Sequence, residues 1–215
     1  MEYKYDMSLM FAMHDALRRD LVQVARIASQ QDGNPATRLH AALGWELFKK
    51  FLTIHHQSED DALWPPLRAR VAGHPDQLAL ADELKAEHAA IDPLLAAIDA
   101  AAADPDYGYQ RLGDIVDELS GKLSAHLTHE ETDGLPLIDA SLSLEEWQHF
   151  GAVHAERGRA DVAVVVPWLL DGASPPTREA VLSAFPPPLR AAFREQWEPR
   201  YADLNIWNTV GTPAR

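Results

Sequence analysis

The chain contains no cysteine, which excludes disulfides, thiolate zinc sites, iron–sulfur clusters and cysteine nucleophiles at once. Any metal site must therefore be built from histidine and carboxylate, a donor set that favours iron, manganese or zinc. Positive charge is scarce as well: 19 lysines and arginines face 33 aspartates and glutamates, a formal charge of −14. That balance argues against nucleic acid or an anionic membrane as partner, because both are bound through a positive footprint. No run reaches the roughly 18 apolar residues of a membrane span. The opening "MEYKYDMSLM" lacks the basic start and apolar core of a signal peptide, so the cytoplasm is the expected compartment. Sustained period-two alternation is also missing, and an all-α fold follows as the expectation.

What the chain has is helical periodicity. The pattern predicts helices over 7–29, 36–64, 76–102 and 109–133, punctuated by "QQDGNP", by "WPP" and "AGHPD", by "ADPDYG" and by "DGLP". Connections this short imply antiparallel neighbours, hence an up-down-up-down four-helix bundle over residues 1–140. Residues 141–215 read as a helical extension packed on it. There Ser143 with Glu146 looks like a capping box, "DVAVVVPWLL" is an apolar run to be covered by the bundle, and a last helix is expected near 187–199.

Residues three and four apart along each helix trace the seam that faces its neighbours. Helix one supplies Met10, His14, Leu17, Leu21 and Val24; helix two supplies Trp45, Phe48, Leu52, His55, Glu59 and Ala62. Helix three supplies Leu84, His88, Ile91, Leu95 and Ile98; helix four supplies Leu112, Val116, Leu119, Leu123, His126 and Glu130. Each seam is apolar except where it carries a histidine, and the even-numbered helices add a glutamate one turn later. His14 and His88 fall early in their helices while His55 and His126 fall late, so alternating helix directions bring all of them to one end and one layer. Alone, His14 or His88 would read as a hydrogen-bonded core histidine, and Glu59 or Glu130 as surface. Together, burying four imidazoles and two carboxylates without a metal would cost several kcal/mol per unpaired charge.

The set exceeds what one tetrahedral zinc needs. Two ions bridged by Glu59 and Glu130, with two histidines on each, use it fully and leave positions for an oxo or hydroxo bridge and a small diatomic or peroxide ligand. Imidazole with carboxylate suits iron first and manganese second.

These residues resemble the hemerythrin-like, or HHE cation-binding, family of di-iron four-helix bundles. The likeness rests on "MHDALRRDL" around His14, "HHQSEDDALWPPL" as His-x-x-x-Glu, "EHAAID" around His88 and "HLTHEETDGLPLI" as a second His-x-x-x-Glu. The resemblance implies that His14, His55, Glu59, His88, His126 and Glu130 hold the metals. It also implies small ligands such as O2, H2O2 or NO as partners, to a monomer or homodimer. Oxygen-carrying members of the family use five histidines, with a His-x-x-x-His on the third helix and an aspartate as second bridge. Here Asp92 stands four residues after His88, and Glu130 takes the place of that aspartate. The departure points away from reversible oxygen carriage and toward a peroxide-consuming protein, with an O2, NO or iron sensor without turnover as the alternative. Of the remaining polar residues, His56 and His129 sit beside seam histidines but one position off the seam, and read as supports of the ligands or rim residues, with direct metal contact as the alternative. Asp92 reads as a seventh ligand or an exposed carboxylate. Glu87, His40 and His74 read as surface, and His149 and His154 as packing or solvent-facing residues of the extension.

Overall fold

The protein is described by a computed structural model covering residues 3–30, 35, 38–39, 42–104 and 108–207; His40 lies outside these. Among the described residues the first part of the chain carries α1 (Ser8–Ala28), α2 (Leu43–Ala62), α3 (Trp64–Val71), α4 (Pro75–Ala103) and α5 (Gly108–His129). Of these, α1, α2, α4 and α5 form the bundle. α1 lies between α2 and α5, and α4 closes the square against the same two helices. The expected seam residues Leu17, Leu21, Trp45, Phe48, Leu52, Ile91, Ile98, Val116, Leu119 and Leu123 bury into one apolar core. At about 1.5–3 kcal/mol for each large apolar side chain, this burial is the main force holding the bundle.

Two boundaries differ from the sequence pattern, both because proline opens a helix as readily as it ends one. α2 stops at Ala62, and Pro65 and Pro66 sit in the first turn of α3, where a missing N–H leaves no bond unmade. Nor does "DGLP" break the chain after α5. The backbone widens into a π-helical turn, Glu130–Gly134, and runs on into α6 (Leu135–Ser141) with Pro136 in its first turn. α3 and α6 then build a second apolar cluster from Trp64, Leu67, Leu135 and Ile138, together with Leu84 of α4, Met7 and Met10. The histidine layer is therefore not at an open end of the bundle; it lies between two apolar cores.

The extension comprises α7 (Leu144–Gly158), a single 3-10 turn (Arg159–Asp161), α8 (Val162–Leu170), α9 (Pro175–Ser183), α10 (Pro187–Ala192), a π-helical turn (Phe193–Trp197) and α11 (Glu198–Leu204). The predicted capping box is present: Ser143 Oγ accepts from the Glu146 N–H at 3.2 Å, and the Ser143 N–H donates to Glu146 Oε2 at 2.8 Å. α7 covers α2, while α8 and α9 cover α1. Val166, Trp168, Leu170, Val181 and Phe193 enter the same core as the bundle seam, and the Trp168 ring packs 4.7 Å from that of Phe51.

One buried charge pins this contact. Asp20 on α1 is fully buried, and burial raises its pKa. It accepts from Trp168 Nε1 at 2.6 Å, from Arg19 Nε at 2.9 Å and from Trp207 Nε1 at 3.4 Å. Arg19 in turn donates to the carbonyls of Trp168 and Asp171, each at 2.8 Å. Truncation of Asp20 would strand these donors, at about 1–3 kcal/mol for each one left buried. Asp20→Ala is therefore expected to lower unfolding stability in urea by at least about 2 kcal/mol and to shift tryptophan fluorescence as Trp168 and Trp207 lose their acceptor. Unchanged stability and emission would show that the carboxylate does not hold the extension.

Candidate metal centre

The π-helical turn and the four bundle helices place seven polar side chains in the layer between the two cores. His14 comes from α1, His55, His56 and Glu59 from α2, His88 from α4, His126 from the last turn of α5, and Glu130 from the start of the π-helical turn. All are at most 1% exposed. Their ligand atoms fall into two groups, each within 4.8 Å: His14, His55, Glu59 and Glu130 form one, and His56, His88 and His126 the other. The carboxylates span both. Glu59 Oε1 is 3.4 Å from His55 Nε2 while its Oε2 is 3.3 Å from His88 Nε2. Glu130 Oε2 is 3.3 Å from His14 Nε2 and 3.9 Å from His126 Nε2.

The inner atoms lack partners. Both oxygens of Glu59, both oxygens of Glu130 and the Nε2 atoms of His56, His88 and His126 are buried without a hydrogen bond. Buried polar groups are ordinarily paired, and a bare carboxylate in an apolar surround carries a large desolvation cost. Nitrogen and oxygen lone pairs converging on one volume are the donor set a divalent or trivalent cation satisfies, so the residues fit a metal.

The outer side of the layer is just as ordered. Four of the five histidines turn Nδ1–H to a carboxylate oxygen: His14 to Glu131 at 2.9 Å, His56 to Asp92 at 2.7 Å, His88 to Asp60 at 3.1 Å and His126 to Glu87 at 2.8 Å. A proton held on Nδ1 leaves the Nε2 lone pair directed inward when the ring is neutral. Glu131 is clamped in turn by both guanidinium nitrogens of Arg18, at 2.7 and 2.9 Å, and Glu87 also accepts from the partly exposed His129 at 2.8 Å.

The electrostatics follow from crowding charges into a dry space. Burial alone would depress His14, but the adjacent Glu130 and Glu131 carboxylates hold it up at about 9. Burial likewise opposes a proton on His88, and Asp60 and Glu59 overcome it to about 10. Burial and the Glu130 charge push Glu59 up to about 8, whereas Glu130, despite burial, is held down by His14. Burial drives His55 well down and His56 to about 4. In the metal-free cluster, protons on His14, on His88 and on Glu59 itself relieve the carboxylate charge.

All six residues expected from the seam, His14, His55, Glu59, His88, His126 and Glu130, are brought together. The structure adds His56, which the one-stripe reading had put at the rim. Consecutive residues on a helix point about 100° apart, and α2 turns its seam so that His55 meets α1 while His56 meets α4. His55 Nε2 lies 3.2 Å from His14 Nε2, and the His56 ring stacks on that of His88 at 3.9 Å and 8°. Asp92 is neither a seventh donor to the inner volume nor a free surface group; it holds His56. Glu87, read as surface, bridges His126 and His129. Asp60 and Glu131 were not singled out, although each directly follows a buried glutamate. His74 and His149 are exposed, and His154 is half-buried with its ring 6.0 Å from that of His55. Burial and the nearby Arg157 hold His154 down at about 4.

The π-helical turn has a local cause in Gly134. A Cβ there would stand 2.9 Å from Leu84 Cδ1 and 3.1 Å from Glu130 Cγ, so glycine leaves the room the Glu130 side chain occupies. π-helical turns of this kind often mark functional sites.

Residues 6–138 match the family model for the hemerythrin HHE cation binding domain. The chain is also similar to a zinc finger protein BRUTUS-like of Arabidopsis thaliana, at 26% identity over 207 residues, an alignment that takes in 88% of the chain and runs past the family match into the C-terminal helices. The chain spans only 16% of the length of that relative. No solved structure matches.

The unpartnered carboxylates generate a two-sided expectation. Glu59→Leu should leave the metal-free protein, held in chelator, as stable as the original or up to about 2 kcal/mol more stable, since a buried carboxyl group without a hydrogen-bond partner is removed. It should abolish the rise in melting temperature that added iron gives the original chain, because metal binding is coupled to folding. A variant that is still stabilised by iron to the full extent would place the metal elsewhere.

Proposed function

The chain belongs to the hemerythrin HHE cation-binding family, and on that premise we propose that the buried layer holds two iron ions and reacts with small oxidants, hydrogen peroxide foremost. One observation carries the reading: two separate groups of ligand atoms share two carboxylates whose oxygens have no other partner. In this assignment His14 and His55 serve one ion, His56, His88 and His126 the other, and Glu59 and Glu130 lie between them. Manganese is the second choice for the same donors. In this reading residues 1–140 are the metal-holding bundle and 141–215 a helical extension packed on it, in a monomer or homodimer.

The donor count is unequal. The His14–His55 side has one histidine fewer, so an ion held there would have fewer ligands from the chain. When bound, a pair of irons supplies the electron exchange by which two molecules of peroxide become O2 and two of water, a balance that needs no outside reductant. The residues of the chain supply the setting. The outer carboxylates Glu131, Asp92, Asp60 and Glu87 fix the rings of His14, His56, His88 and His126. The cores on either side keep bulk water out of the layer. His129 and Glu87 place a partly exposed imidazole and a carboxylate in line with His126 Nδ1, where a proton can be held at the rim.

The second reading is an O2, NO or iron sensor in which the extension reports the state of the cluster. The observation favouring it is contact: His154 of α7 lies against His55, so a change at that end of the cluster reaches the covering helices directly. Peroxide turnover separates the two. The enzyme reading expects sustained turnover far above that of free iron, while the sensor reading expects ligand binding without it.

Protein expressed with ample iron should contain about two irons per chain by elemental analysis, as a donor set divided in two implies. His56→Ala should lose iron to a chelator at lower concentration than the original chain and show reduced peroxide turnover. Equal retention would remove His56 from the assignment, and a single zinc in place of iron would end the redox reading.

A further inference from the structure

Between α1 and α2 on one side and α7 and α8 on the other lies a cavity of about 320 Å³. Its wall is largely apolar, with Phe51, Phe150, Val166 and Leu169 among the lining residues. Two imidazoles also reach the wall, His55 and His154. His154 touches the rings of His55 and Phe150 at 6.0 and 6.3 Å, and its nitrogens make no hydrogen bond among the described residues. The charged lining residues stand at the outside: Asp6 is exposed, and Arg159, 77% exposed, is paired with Glu156 at 3.0 Å. An anionic or cationic guest would find no free countercharge inside, and burying it would go uncompensated. The volume is about twice the roughly 150 Å³ that holds benzene in an engineered apolar cavity. It exceeds what a diatomic or peroxide requires.

We infer that this cavity is a binding site for an uncharged organic molecule of roughly ten non-hydrogen atoms, with an apolar body and one hydroxyl-type head hydrogen-bonded to His154. Most of the covering wall comes from helices beyond the residues that match the family model, so the site belongs to the extension as much as to the bundle. It does not depend on metal in the cluster, because His55 is the one cluster residue on its wall among the described residues.

Calorimetric titration of the full chain tests this directly, with 2-phenyl-2-propanol as probe, toluene as the same apolar body without the head, and benzoate as a charged counterpart. The expected result is saturable one-site binding of the alcohol, weaker binding of toluene and none of benzoate. Gly151 lines the cavity, and a Cβ there meets nothing within 4 Å, so Gly151→Leu fills open space and should weaken both neutral probes by about tenfold or more. His154→Phe keeps the ring but removes the hydrogen bond, and should weaken the alcohol by about fivefold while leaving toluene unchanged. Absence of saturable binding by either neutral probe, or tightest binding by benzoate, overturns the inference. Undiminished binding in Gly151→Leu would place the ligand elsewhere, and equal losses for both probes in His154→Phe would remove that residue as the head-group partner. Repeating the titration on metal-free protein keeps the result distinct from the iron reading, since binding is expected in both forms.

Discussion

The structure depends on balancing charge in a layer from which water is excluded. Five imidazoles and two carboxylates are packed between two apolar cores, and each carboxylate would be prohibitively costly there if left alone. The chain meets this constraint from both directions. Inward, the donors converge so that a cation can satisfy Glu59 and Glu130, and in its absence protons on His14, on His88 and on Glu59 itself relieve the charge. Outward, Glu131, Asp92, Asp60 and Glu87 hold the far side of the rings, and Arg18 holds Glu131. The cluster is thus a buried site with an anionic collar, and removing a collar residue loosens a ring without removing a ligand.

The same constraint explains the surroundings. A layer at the open end of a four-helix bundle would be hydrated, and water would compete for every donor. α3 and α6, opened by Pro65, Pro66 and Pro136, close that end with Trp64, Leu67, Leu135 and Ile138. On the side of α1 and α2 the closure comes from the extension, fixed by Asp20 to Trp168 and Trp207. There the seal is incomplete, and the space left lies against His55, on the side of the cluster with fewer histidines.

Much of this was legible from residue order. The bundle helices, the apolar seams, the capping box at Ser143 and the six polar seam residues all follow from spacing, because a helix repeats its faces regularly whatever it packs against. The role of His56 was not legible, since a single-stripe pattern assigns each helix one inward direction. α2 has two neighbours that matter, α1 and α4, and only their positions decide that adjacent histidines both face inward. Asp92, Glu87, Asp60 and Glu131 were obscured for a related reason. On a helix surface a carboxylate that will hold a ring on the next helix looks the same as one facing solvent.

By itself, the sequence determined the all-helical class, the chemistry available to any site and the layer at which polar residues interrupt the seams, because composition and helical period need no partner to be read. Tertiary structure alone decided the division of donors into two unequal groups, the collar of outer carboxylates, the closure of the layer by α3 and α6, and the cavity between bundle and extension. Those properties are distances between residues far apart in the chain, and a distance across a core exists only once the helices have packed.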